Sequence, residues 1–268
     1  MARCLYPITI GKTEGLKRHK VVPCGKCITC KRRRQSAWSF RLLQEMQHSR
    51  SAAFLTLTYD DDHLVYGDGR ATLYKRDLQL FFKRLRKAQA KLTEDSIKYY
   101  SVGEYGSRTK RPHYHAIIFN VKPQLLFDGV LSGIWKAGHV RVDECNIKTI
   151  QYVTKYVMKS NHEEYDGVQP EFSAMSKGLG RQFLTDKVQN YYKSHEIPYL
   201  VWKDGQKITM PRYYKEIIWQ DNPEVLRRFG KEALENVIPQ ELDSTKMFEI
   251  RQENLKLQRI SKEKRNAI

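Results

Sequence analysis

Residues 52–59, AAFLTLTY, form an unbroken apolar and β-branched run that ends on the acidic turn Asp60-Asp61-Asp62, which predicts a buried strand. The period changes in YKRDLQLFFKRLRKAQAKL (74–92). There Leu78, Phe81, Phe82 and Leu85 recur at three- and four-residue steps between Lys and Arg, the stripe of an amphipathic helix. IKYYSVGEYG (97–106) and HYHAIIFNV (113–121) read as two further strands joined by the basic, hairpin-like connection SRTKR. QLLFDGVLSGIW (124–135) reads as helical, HVRVD (139–143) as a short strand, and NIKTIQYVTKYVMK (146–159) as a helix. Upstream, KRRRQSAWSFRLLQEMQ (31–47) predicts a helix with Trp38, Leu42, Leu43 and Met46 on one side and a basic opposite side. YGDGRA (66–71) reads as a loop.

Strands that can pair antiparallel, with helices between them, argue for an α+β sandwich rather than a parallel βαβ array. Three regions follow: a cysteine-rich basic N-terminal segment and helix (1–50), a core of strands and helices (51–165), and a C-terminal extension (166–268). In the extension, FSAMSKGLGRQFL (172–184) reads as a loop entering a helix. YLVWKDGQKITMP (199–211) reads as a hairpin turning at Asp204-Gly205. The stretch from Glu241 onward reads as a charged helix with a thin stripe of Met247, Ile250, Leu257 and Ile260.

Charge narrows the range of partners. The chain has 48 Lys and Arg against 30 Asp and Glu, a formal charge of +18. Its first fifty residues hold 12 basic and 2 acidic side chains. A field of that sign favours a polyanion. Sixteen tyrosines turn the choice toward nucleic acid, because aromatic faces stack on unpaired bases. No apolar run approaches the roughly 18 residues of a membrane span, and the N-terminus carries no apolar signal segment, so the expectation is an intracellular protein without a membrane partner.

Four of the five cysteines lie near the N-terminus: Cys4, then Cys24, Cys27 and Cys30 in CGKCITC. Thiolates at i, i+3 and i+6 around a glycine can converge on one soft cation, with Cys4 completing a tetrahedral set for structural Zn²⁺. Reduced thiols beside a basic helix would read the same way. Cys145 stands alone and reads as a small buried side chain.

RPHYHAIIF carries the most chemistry. On a strand His113 and His115 share a face about 7 Å apart, with Tyr114 opposite. Glu104, on the neighbouring predicted strand, adds a carboxylate and completes a two-histidine, one-carboxylate set with open positions. Such donors suit Mn²⁺ or Mg²⁺. YVTKYVMK then repeats one phrase without a spacer. In a helix Tyr152 and Tyr156 stand about 6 Å apart on one face, with Lys155 and Lys159 on the adjoining turns. The spacing fits a packing helix with lysines outward. It equally fits phenol nucleophiles, each with a cation beside it.

Together, VPCGKCITCKRRRQSAWSFRL, FLTLTY, HYH and the doubled YVxK resemble, in order, the rolling-circle replication initiators of the HUH endonuclease superfamily. The nearest group is that of microviruses, the gokushovirus-like single-stranded DNA bacteriophages. The resemblance covers about residues 1–160. It implies an antiparallel sheet with flanking helices and a ferredoxin- or RRM-like core. It also implies His113 and His115 as metal ligands, Glu104 as the third, and Tyr152 and Tyr156 as paired nucleophiles accompanied by Lys155 and Lys159. The activity implied is metal-dependent nicking of single-stranded DNA at a viral origin through a 5′-phosphotyrosine, then religation of a unit-length circle. The implied partners are a host helicase and DNA polymerase in the bacterial cytoplasm. The chain has no GxxxxGK[ST] phosphate loop with which to unwind DNA itself. Two other readings remain: a plasmid or mobile-element relaxase or transposase of the same superfamily, and a non-catalytic, zinc-stabilised nucleic-acid-binding protein.

Overall fold

A five-stranded antiparallel sheet organises one of the two units of the computed structural model, Trp38–Thr185; the other unit joins Met1–Ala37 to Asp186–Ile268. The structure describes residues 4–10, 20–156, 167–202 and 205–235. The chain begins with β1 (Ile8–Ile10), β2 (Lys20–Val22), α1 (Ile28–His48), β3 (Ala52–Tyr59), β4 (Val65–Gly67), β5 (Arg70–Thr72) and α2 (Lys75–Gln89). It continues through β6 (Lys98–Tyr105), β7 (Pro112–Phe119), α3 (Asp128–Trp135), β8 (Gly138–Glu144), α4 (Ile147–Lys155) and β9 (Phe172–Met175). The described residues end with α5 (Asp186–His195), β10 (Tyr199–Val201), β11 (Lys207–Thr209), α6 (Arg212–Ile218) and α7 (Pro223–Glu235).

The large sheet runs β8-β3-β7-β6-β9, so the α+β class with an antiparallel sheet and flanking helices is borne out. Strand alternation divides its two faces. One face presents Leu55, Leu57 and Tyr59 from β3 and Tyr114, Ala116 and Ile118 from β7. It packs on Leu78, Phe81, Phe82 and Leu85 of α2 and on Leu131 and Trp135 of α3. Each fully buried Leu or Phe contributes about 1.5–3 kcal/mol relative to exposure, so this face carries most of the apolar stabilisation. It is also closed to solvent and to substrate. Gly138 lets β8 start against β3: its φ is +140°, and a Cβ there would lie 2.3 Å from the Thr58 carbonyl oxygen.

The opposite face bears Phe54, Thr56 and Thr58 of β3 and His113 and His115 of β7. α1 and α4 cover part of it. Trp38 of α1 packs on Tyr100 of β6 at 5.0 Å between ring centroids, and Ser39 of α1 hydrogen-bonds Thr154 of α4 at 2.9 Å. Glu45 of α1 is fully buried, with Lys98 Nζ 2.8 Å from one carboxylate oxygen and the Gly180 amide donating to the other at 2.7 Å. Those two partners offset the desolvation of its charge.

The structure departs from the sequence reading at three places. Residues 66–71 are the tip of the β4–β5 hairpin rather than a loop. Asp68 (φ 47°) and Gly69 (φ 73°) are both left-handed, as a two-residue hairpin turn of matching twist requires. Phe172–Met175, read as loop, is β9 at the sheet edge, where pairing with Tyr100–Gly103 imposes the extended backbone on a sequence containing Ser and Ala. The short β1–β2 hairpin carried no pattern at all. The expected hairpin at 199–209 is present, although Asp204 lies outside the described residues. The charged helix expected beyond Glu241 lies outside them as well. Among the described residues no helix is long and apolar enough to cross a membrane.

Candidate functional site

Sheet register brings the three candidate ligands together. Glu104 of β6 sits directly across from His113 of β7, and His115 sits across from Thr56 of β3. Glu104 Oε1 lies 2.7 Å from His113 Nε2 and 3.0 Å from His115 Nε2. Glu104 and His115 are buried and His113 is half-buried. The far nitrogen of each ring is also held. His113 Nδ1 is 3.1 Å from the Arg111 carbonyl oxygen, which can only accept, so Nδ1 carries the proton and Nε2 keeps its lone pair. His115 Nδ1 is 3.1 Å from Thr56 Oγ1. Partners of this kind orient metal-binding imidazoles.

The donor set fits a hard divalent ion. Octahedral coordination with bonds of about 2.0–2.1 Å puts neighbouring ligand atoms about 3 Å apart, which matches the two carboxylate–imidazole separations. All three donor atoms lie within 4.8 Å of one another.

α4 carries the tyrosines to this set. Its phase is fixed at the N-terminus by Asn146, whose side chain accepts from the amides of Lys148 and Thr149 while Thr149 Oγ1 accepts from the Asn146 amide. Ile150 and Val153 point inward, and Thr154 is bonded to Ser39. Tyr152 is thereby held against the sheet, its hydroxyl 3.4 Å from both Glu104 Oε1 and His115 Nε2. Tyr156 is the C-cap residue; its ring lies 5.3 Å from that of Tyr152 and stacks on His115 at 6.3 Å. Burial raises the Tyr152 phenol above its ordinary value of 10.0, the Tyr156 hydrogen bond opposes the rise, and Glu104 adds to it. Burial also raises Tyr156, with the charges of Glu104 and Glu171 and the bond to Tyr152 adding to it. Without a cation in the set, both are neutral phenols.

Lys155 ends α4 and is exposed, with no ion pair among the described residues; Lys159 lies outside the described residues. Cys4, Cys24, Cys27 and Cys30 belong to the other unit and converge there, with Sγ atoms within 4.8 Å of one another. Cys145 is buried and donates to Met46 Sδ at 3.8 Å. Sequence reasoning missed Thr56, Asn146 and Phe54, whose ring stacks on His115 at 5.3 Å. A signal for Thr56 was present: Thr56 and Thr58 are the only aliphatic hydroxyls in an otherwise apolar and aromatic strand, and both fall on the histidine face.

Residues 52–161 match the family model for replication-associated protein ORF2 and its relatives. That span holds Glu104, both histidines and the whole YVTKYVMK repeat. The chain is 29% identical over 221 residues to replication-associated protein ORF2 of Spiroplasma virus 4, covering 75% of this chain and 69% of that protein. It is 28% identical over 224 residues to replication-associated protein VP4 of Bdellovibrio phage phiMH2K, with the same coverage of both. It is 29% identical over 220 residues to replication-associated protein ORF4 of Chlamydia phage 1, covering 74% of this chain and 53% of that protein. The resemblance read from the motifs is borne out.

Proposed function

We propose, on the premise that residues 52–161 carry the domain of this replication-associated protein family, that this chain is the rolling-circle replication initiator of a single-stranded DNA phage. Its reaction is site-specific nicking and strand transfer on single-stranded DNA at the viral origin. The observation that carries the reading is the Tyr152 hydroxyl, 3.4 Å from two of the three candidate metal ligands. A tyrosine serving only as packing has no need to aim its polar end at a carboxylate and an imidazole.

Glu104, His113 and His115 would hold a divalent cation, Mg²⁺ or Mn²⁺, which supplies Lewis-acid polarisation of the scissile phosphate and offsets the negative charge beside the phenol. The chain's own groups do the rest. Thr56 and the Arg111 carbonyl hold the imidazoles with Nε2 facing the set. The Tyr152 oxygen forms a bond to phosphorus as the phosphorus–O3′ bond breaks. The phenol gives up its proton and the departing 3′-oxygen takes one up, leaving a 5′-phosphotyrosine and a free 3′-hydroxyl for a host polymerase to extend. Tyr156 makes the second cut on the regenerated origin. The released 3′-hydroxyl then attacks the first phosphotyrosine, restoring that phenol and closing a unit circle. Lys155 and Lys159 supply ammonium charge for the phosphates, and unwinding falls to a host helicase in the bacterial cytoplasm.

The test is covalent capture on a single-stranded origin oligonucleotide. The expected result is a denaturant-resistant protein–DNA adduct that requires Mg²⁺ or Mn²⁺ and is absent from the Tyr152→Phe/Tyr156→Phe double variant. Tyr156→Phe alone should retain the first cut but release no unit circles. An adduct formed by the double variant, or no adduct from wild type with either metal, overturns the reading in favour of a binding protein.

A further inference from the structure

The N-terminal unit contains a cluster that nicking does not use. The β1–β2 hairpin has three residues per strand, too short to be stable alone in water. Ile8 on its first strand and Tyr6 just before it are both exposed. What is buried beside it is sulphur: Cys4, Cys27 and Cys30 form the local cluster, with Leu5 and Cys24 packed against it. Three thiols and a leucine are a weak hydrophobic core. They are a good ligand set.

The sulphur geometry separates the alternatives. Cys4 Sγ lies 3.6 Å from Cys24 Sγ and 3.9 Å from Cys27 Sγ. A disulfide needs about 2.05 Å, and all five cysteines are free. A tetrahedral ion with zinc–sulphur bonds of about 2.3 Å puts its sulphurs about 3.8 Å apart, between the two observed values. The backbone is arranged for thiolates as well. The Cys24 amide donates to Cys4 Sγ at 3.2 Å and the Cys27 amide donates to Cys24 Sγ at 3.3 Å. Gly25, at φ +71°, makes the left-handed turn that folds Cys24 back toward Cys27, a conformation strained for residues with a Cβ. Cys30 lies in the first turn of α1, where the helix dipole favours the net negative charge of a four-thiolate zinc centre.

We propose that Cys4, Cys24, Cys27 and Cys30 bind one Zn²⁺ as a closed structural centre that ties the chain's N-terminus and the β1–β2 hairpin to the start of α1. Four protein ligands fill a tetrahedral shell, so the centre has no position for substrate. Binding releases the thiol protons to solvent and leaves the metal's oxidation state unchanged.

The experiment is elemental analysis of the full chain purified without chelator. The expected result is about one zinc per chain, lost in Cys24→Ser/Cys27→Ser and kept in His113→Ala/His115→Ala. The histidine variant separates this centre from the proposed catalytic set, so failure of either assignment leaves the other standing. Since the cysteine variant can fail to fold, cobalt exchange into the wild-type chain supplies an independent readout. Co²⁺ should give thiolate-to-cobalt charge-transfer absorption with tetrahedral ligand-field bands, and a thiol-reactive mercurial should abolish both. No zinc, one iron per chain in its place, zinc that follows the histidines, or an octahedral cobalt spectrum would each overturn the proposal.

Discussion

Thr56→Val removes one hydroxyl and little else, which makes it a sharp probe of the proposed metal set. For His115 to offer its Nε2 lone pair, its Nδ1 must carry the proton and donate it to Thr56 Oγ1, 3.1 Å away. Valine keeps the β-branched shape on β3 and cannot accept that bond. A neutral hydrogen bond is worth about 1 kcal/mol net, and loss of such a partner lowers metal affinity about 10- to 100-fold. Here Glu104, His113 and the Arg111 carbonyl are untouched, so the lower end applies: about tenfold, or about 1.4 kcal/mol. Adduct formation on single-stranded DNA, titrated with Mn²⁺, should show the half-saturating concentration rising about tenfold with the rate at saturation nearly restored. Thr56→Ser, which keeps the oxygen, should rescue the affinity. An unchanged half-saturating Mn²⁺ concentration, or a lost maximal rate with unchanged metal dependence, would show that Thr56 does not act through His115.

Three other outcomes follow from the same geometry. His113→Ala/His115→Ala should form no adduct at any Mn²⁺ concentration while still binding single-stranded DNA, whose affinity rests on Lys and Arg elsewhere; near-normal nicking would sink the ligand assignment. Asn146→Ala removes the side-chain half of the α4 capping box and should cost about 1 kcal/mol, read as a thermal midpoint lower by about 2–4 °C; an unchanged midpoint would mean packing alone sets the helix. Burial raises Tyr59, and raises Tyr114 to about 12, so both phenols stay neutral in the folded chain after unfolded tyrosine ionises near pH 10. Their contribution is therefore complete below about pH 9 and falls above it by up to about 1.4 kcal/mol per pH unit per phenol. Urea unfolding should show that loss, reduced in Tyr114→Phe, and a flat profile to about pH 11 would contradict it.

Long elements with a strong period were legible. The stripe Leu78, Phe81, Phe82 and Leu85 became the buried face of α2, and the His113–His115 alternation became one face of β7. Features made by pairing rather than by pattern were not. β9 has a half-buried, weakly alternating sequence, and only its ladder with β6 makes it a strand. The buried Glu45 is another case. A glutamate within an amphipathic helix reads as solvent-facing until Lys98 and the Gly180 amide, both distant in sequence, arrive to hold it. Thr56 lay between these extremes. Its polarity was visible, but its partner depended on strand register, which a single sequence does not specify.

The repeated tyrosines show the same limit at the site itself. A spacing of four residues puts Tyr152 and Tyr156 on one helical face whether that face packs or reacts, so periodicity cannot separate the two roles. Register can, because it decides what the face meets. Here it meets a carboxylate and two imidazoles from adjacent strands, and the neighbouring turn of α4 is pinned at Thr154 to Ser39 on α1. A helix held at that point cannot rotate to exchange one tyrosine for the other. The two hydroxyls therefore address positions about one helical turn apart, with only Tyr152 in hydrogen-bond range of Glu104 and His115 among the bonds described. If both tyrosines cut, the second phosphate must arrive along a different path from the first, so the order of the two cuts is written into which phenol stands beside the ligand set.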